Sequence, residues 1–327
     1  MAFSNYPHGF KNGVTIRGVP VEMSHPGKVF WVGNNATRLD NEATASDGND
    51  GTFLRPFATV MGGYANTAVA ASRGDLMFIR PGYTENVSSA TLWTLNKVGV
   101  ALVGLGAGST RPTITLTGAT ATITVSANDN SIRNFVFIAN ADDVAALFSL
   151  TTAKNFAVED CLTQDTSSSL NLLVFIDTNA TDNAADGLYV ARNVWTPTKA
   201  TASTLVKVDG IIDRLTVIDN FVRTVGTSTT VGMVAIALGA DSITNALIAR
   251  NYYRVNSAFS AGALVSSAGA SSASYGLVAE NVVQSSAVST SLVVNAANVG
   301  LVQKLNYQDK SAGSVSARQV PTAQAVD

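Results

Sequence analysis

From about residue 98 onward, short apolar runs alternate with clusters of Ser, Thr, Asn and Gly, and no stretch keeps apolar residues at helical spacing. That pattern predicts many short strands separated by turns. The runs also repeat. FVFIAN (135–140), FAVEDC (156–161), LYVARN (188–193), LTVIDN (215–220), ALIARN (246–251), GLVAEN (276–281) and, more loosely, LVQKLN (301–306) align on their last position. That position holds Asn140, Cys161, Asn193, Asn220, Asn251, Asn281 and Asn306. Three residues earlier stand Phe137, Val158, Val190, Val217, Ile248 and Val278, and five earlier stand Phe135, Phe156, Leu188, Leu215, Ala246 and Gly276. The residue after the column is often large: Leu162, Val194, Phe221, Tyr252, Val282, Tyr307. A second run, ALFSL, LLVFI, TLVKV, MVAIAL, ALV or SLVV, lies in each unit.

Units of about 28 residues, each with two or three strands, predict an all-β solenoid: a single-stranded parallel β-helix over residues 98–310. One coil cannot bury its own apolar face, so stacking at about 4.8 Å makes the core. Asparagine suits the column because it tolerates left-handed backbone angles and its amide can bond the same amide one coil away. Just before the column stand Asp160, Arg192, Asp219, Arg250 and Glu280, with alternating sign. Stacked coils would set each charge beside its opposite, so Asp160 reads as one rung of a structural ladder. Asn140, Asn193, Asn220, Asn251 and Asn281 form the companion ladder.

The earlier chain reads differently. In 57–71, FATVMGGYANTAVAA, apolar residues recur at three- and four-residue steps, which predicts a short capping helix after Pro56 and before Gly74. It belongs to a capping segment, 29–97. Residues 1–28 have Gly or Pro every few positions but retain Phe3, Tyr6, Phe10, Val14, Ile16, Val19 and Val21, so they read as an extended docking arm. Residues 311–327 form a tail that could cover the open edge of the last coil.

Composition narrows the function. Charged residues are only 13% and the net charge is −2, so there is no basic field for nucleic acid or anionic lipid. No apolar run is long enough for a membrane helix, and the N-terminus lacks an export-signal pattern, so a soluble protein that is not exported by the usual route is expected. A single cysteine rules out an internal disulfide framework, and Cys161 reads as a small buried residue with no histidine after His25 to activate it. The Asp47–Gly48 and Asp50–Gly51 turns faintly resemble a calcium loop, but the spacing fails the EF-hand pattern. No metal and no cofactor is expected. Three carboxylate pairs could serve glycan chemistry: Asp142 with Asp143, Glu159 with Asp160, and Asp209 with Asp213. Each also has a plain reading as a turn, a ladder rung or a loop, and no catalytic residue is assigned.

The stretch 47–87 resembles the start of pectate-lyase-like right-handed β-helix proteins, through Asp47–Gly51, the PFAT at Pro56–Thr59, Gly74–Asp75, Pro81–Gly82, Tyr83 and Glu85. The opening NYPHGFKNGVTIRGVPV is similar to the start of tailed-bacteriophage virion proteins that carry this fold, including head decoration (cement) proteins. The resemblance covers roughly the first quarter of the chain. It implies a right-handed β-helix, a homotrimer, the major capsid protein as partner, and the outer capsid surface of a virion as location after synthesis in the host cytoplasm. Weak binding of surface glycans would be compatible with it. The competing expectation is a tailspike or tail-fibre adhesin, or a polysaccharide depolymerase acting through one of the carboxylate pairs.

Overall fold

The computed structural model describes residues 14–16, 19–21, 27–38, 42–199, 203–225, 232–237, 241–258, 264–267, 274–287, 300–310 and 318–319. They form a parallel β-solenoid. Two sheets of ten strands and one of seven run along it. One coil shows the plan. Ala157–Glu159 lies in the first sheet, Leu162–Asp165 in the second and Leu172–Asp177 in the third, before the chain returns to the first sheet at Tyr189–Ala191.

Strand length is set by corners. Asp129, Asn155, Arg214 and Asn245 take left-handed φ of 50° to 60° just before first-sheet strands, and Gly187 does the same at 74°. Asn134, Asp160, Arg192, Asp219, Arg250, Glu280 and Leu305 do so just after them. Each corner outside glycine costs on the order of 1 kcal/mol of backbone strain, which the stacked coils on either side must offset. Gly187 is required: a Cβ there would lie 2.3 Å from Asn155 Oδ1.

Between corners, alternate side chains point inward. Ile132, Val158, Val190, Val217, Ile248 and Val278 are in register from coil to coil and almost fully buried. Each contributes about 1.5–3 kcal/mol by leaving water. Aromatic rings fill the early coils: Phe137 and Phe156 each lie 5.5 Å from Phe148, Phe175 lies 5.6 Å from it, and Trp195 follows 6.1 Å from Phe175.

Three sequence expectations change. The helix is Val60–Ala65, not 57–71. Phe57 instead bridges to Val32 as an extended residue, and Thr59 caps the helix by accepting from the Gly62 N–H at 2.9 Å. At the other end Asn66 Oδ1 takes the Ala68 N–H at 2.9 Å, a local bond that competes with further helix. Gly62 and Gly63 weaken the helix from within, but Gly62 cannot be larger: its Cβ would meet the Asp47 carboxyl carbon at 2.0 Å.

The repeat also slips by five residues in its first unit. Ser131–Arg133, not 135–140, pairs with Ala157–Glu159, so Phe135 occupies the column and Asn140 does not. Asn140 is exposed at the end of the second-sheet strand Val136–Ala139. Phe137 therefore belongs to the second sheet, between Ile114 and Thr163. The cause is local: SIR carries one apolar residue between two polar ones, whereas the neighbouring VFIA has the apolar run that an alignment seeks.

Phe3, Tyr6 and Phe10 lie outside the described residues, as do SLVV and most of the tail. Val14–Ile16 pairs antiparallel with Val19–Val21, so that part of the expected arm is a short hairpin. In the tail, Arg318–Gln319 pairs antiparallel with Tyr307 and Gln308 and adds a last strand to the second sheet.

Candidate functional site

The corner between the first and second sheets carries the ordered polar side chains that recur from coil to coil. Its inner rail is the asparagine column. Asn193, Asn220, Asn251, Asn281 and Asn306 are all buried. Each Oδ1 accepts from the coil before it. Asn193 donates its backbone N–H to Asn220 Oδ1 at 2.9 Å and its amide at 3.1 Å, and the pattern continues from Asn220 to Asn251, Asn251 to Asn281 and Asn281 to Asn306. Each Nδ2 also reaches a carbonyl one coil back: Val158, Val190, Val217, Ile248 and Val278 in turn. Cys161 ends the rail. Its N–H donates to Asn193 Oδ1 at 3.1 Å, its thiol lies 3.2 Å from the Glu159 carbonyl, and burial pushes its pKa up to about 12. A thiol so placed is not a nucleophile at neutral pH.

The outer rail is the charge ladder. Arg192 bonds Asp160 at 2.8 Å and also grips Glu159, while Arg133 reaches Asp160 from the other side at 3.0 Å. Arg250 holds Asp219 with two hydrogen bonds, 2.7 and 2.8 Å long. Arg192 also attracts Asp219, and Glu280 attracts Arg250, without direct bonds among the described contacts. Arg133 was not legible as a ladder member, because the first unit was out of register. Arg111 adds a bond from Nη1 to the Asp160 carbonyl at 3.1 Å.

Burial pushes the Asp160 carboxyl up, but Arg192 and Arg133 outweigh it and leave it below its usual value. Asp219 is lowered chiefly by its hydrogen bonds from Arg250. A carboxylate with a folded pKa below its unfolded value of about 3.9 stabilises the fold above that pH, and loses the effect as pH falls through the folded value. The ladder should therefore weaken in acid. Arg192→Glu would remove two ion pairs and cluster carboxylates; a loss of about 1–3 kcal/mol is expected near pH 7. The deficit should shrink below about pH 4, as the crowded carboxylates protonate while the unmodified ladder loses its own support. Thermal melts at both pH values check this; equal melting at neutral pH would rule out a stabilising ladder.

The other candidate carboxylates are held by protein donors except Asp142, whose side chain is exposed. Asp143 pairs with Lys199, while Asp142 forms an isolated backbone bridge with Leu170. Asp209 pairs with Lys207 at 2.6 Å. Asp213 accepts from Thr244 and Asn245 at 2.9 and 2.8 Å, in a separate two-stranded sheet. Asp47 accepts from the Ala58 and Thr59 backbone, and Asp50 from Thr52. Among the described residues no group of three or more His, Cys, Asp or Glu is placed to hold a metal ion. Tyr83 and Glu85 are structural: Glu85 takes the Tyr83 hydroxyl at 2.5 Å, the Val60 N–H at 3.0 Å and the Trp93 indole at 3.0 Å, which fastens the helix to the first coils.

The sequence reading missed the outer face of the second sheet. The large residues after the asparagine column point outward there, in register from Leu162 through Val194, Phe221, Tyr252 and Val282 to Tyr307. The sequence marked them only as large, and Phe221 is 38% and Tyr307 48% exposed. The clue was present in the two-residue period of the strand, which sends the residue after an inward asparagine outward.

No protein-family model matches this chain, and no curated protein matches its sequence.

Proposed function

We propose that the chain is a structural protein of a bacteriophage virion, a decoration or cement protein that docks on the outer head surface through residues 1–28 and stiffens the shell. The observation that carries this reading is the use made of polar groups. In each carboxylate pair that glycan chemistry would need, at least one member is taken up in an ion pair or a cross-coil bond. Such a rod resists deformation and presents a surface of low charge, and burying that surface against a protein lattice costs little desolvation. The similarity of the opening sequence to head decoration proteins supplies the partner, the major capsid protein, and a trimeric state.

Deletion of residues 2–27 tests the reading. The truncated rod should keep the melting temperature of the full chain and lose binding to capsids that lack the protein, measured by co-sedimentation. Decoration at normal occupancy by the truncated rod would refute arm docking. Clearing of a bacterial glycan suspension by the full chain would replace the structural reading with that of a depolymerase.

A further inference from the structure

We infer that the outer face of the second sheet around Phe221, Arg223, Tyr252 and Arg254 is a docking surface for an acidic polypeptide segment. The inference goes beyond arm docking and stands whether or not the arm binds a shell. It begins from a break in the charge pattern. At the corner, arginines and carboxylates alternate from coil to coil. Four residues further along the same coils they do not: Arg223 and Arg254 are register partners in adjacent coils. Both are exposed, and among the described residues neither side chain has an ion-pair partner. Their neighbours along the column are Thr196 below and Gln284 above, both uncharged. Like charges stacked at coil spacing repel, so this pair weakens the free rod. An anion bridging the two guanidinium groups would turn that repulsion into attraction.

The adjoining column decides which kind of anion fits. Phe221 and Tyr252 stack with centroids 4.7 Å apart and planes 2° from parallel. Val194 precedes Phe221 and Val282 follows Tyr252 in the same register. The stack covers one face of each ring, and the register sets Val194 and Val282 on the outer sides of the pair. A sugar ring would need an exposed aromatic face to lie on. Ring edges carry the positive end of the aromatic quadrupole and pack well beside carboxylates and aliphatic side chains. Tyr252 is held in place by its hydroxyl, 2.5 Å from Gln284 Oε1. The surface therefore offers an apolar strip beside a cationic strip, which matches a segment with apolar residues on one side and carboxylates on the other.

The test uses the full chain and a fluorescein-labelled peptide of alternating Glu and Leu, followed by fluorescence anisotropy at low salt. The peptide should bind, and added salt should weaken binding. The double variant Arg223→Gln/Arg254→Gln should bind about tenfold more weakly, while Arg223→Lys/Arg254→Lys keeps most of the affinity. The Gln variant should melt at the same temperature as the parent or higher, because it removes a repulsion and no internal bond. Undiminished peptide binding by the Gln variant would overturn the inference, as would a lowered melting temperature, which would make the arginines structural. Displacement of the peptide by alginate at lower uronate concentration than by free peptide would also overturn it, in favour of an acidic glycan.

Discussion

Asn220→Leu is expected to destabilise the rod by about 3–5 kcal/mol, although the new side chain has similar volume and greater hydrophobicity. The size follows from what is left behind. Asn220 Oδ1 accepts from the backbone N–H and the amide of Asn193 at 2.9 and 3.1 Å, and its Nδ2 satisfies the Val190 carbonyl at 2.9 Å. Leucine offers no partner to any of these groups, and water cannot reach them because the column is buried. Each orphaned buried group costs about 1–3 kcal/mol. Burial of the leucine side chain returns only part of that. Asn140→Leu is the control. Asn140 is exposed and its backbone N–H bond to the Leu116 carbonyl survives the change, so its effect should stay within about 0.5 kcal/mol. Chemical denaturation of both variants separates the outcomes. If Asn220→Leu and Asn140→Leu unfold together with the parent, the buried amide rail does not stabilise the fold.

That contrast also shows which features could be read from the chain. The fold class was legible because inward positions recur: Val158, Val190, Val217 and Ile248 stand at matching places before the asparagines, and register pairs them in the folded rod. The ladder charges were legible for a related reason. The left-handed corner after each first-sheet strand places Asp160, Arg192, Asp219, Arg250 and Glu280 at equivalent points, so that their order in sequence becomes their order in space. Periodicity fails where a coil departs from the average. Ser131–Arg133 is too polar to announce itself, and that shifted the first rung from Phe135 to Asn140. It fails again where partners lie outside the repeat. Nothing periodic links Glu42 to Arg80, and no rule of helix propensity shows that Asp47 lies against Gly62. The outward arginines were invisible for a third reason: an unpaired charge is recognised only once its neighbours are known. Sequence spacing therefore identified the elements common to every coil, and the structure was needed for what makes individual coils different.

The second large effect is expected at such a non-periodic contact. Arg80 leaves the end of the strand Leu76–Ile79 and is 4% exposed at its side chain; its partner Glu42 is 1% exposed. The guanidinium grips Glu42 and the Phe53 carbonyl and sits 5.0 Å from the centre of the Phe53 ring. Phe53 packs edge-on against Trp31 at 4.8 Å, over an outer apolar cluster that includes Leu76, Phe78 and Val103. One buried ion pair thus pins the 42–56 loop over the outside of the first coils. Arg80→Met leaves the Glu42 carboxylate buried without this partner, and a loss of about 3–5 kcal/mol is expected. Pairing it with Glu42→Met removes the buried carboxylate as well and should recover much of that loss, because a buried pair replaced by apolar side chains is often close to neutral. The loss should be local, since coils of a solenoid interact chiefly with their neighbours. Amide exchange gives the decisive reading. The Ala43 and Ser46 N–H groups, which donate to the Leu54 and Pro56 carbonyls, should exchange faster in Arg80→Met, while Asn220 and Asn251 keep their protection. Unchanged exchange at Ala43 and Ser46 would show that the loop is held by its apolar contacts alone. Equal loss of protection at Asn220 would show that the rod unfolds as one unit, and the capping loop would then govern the stability of every coil beyond it.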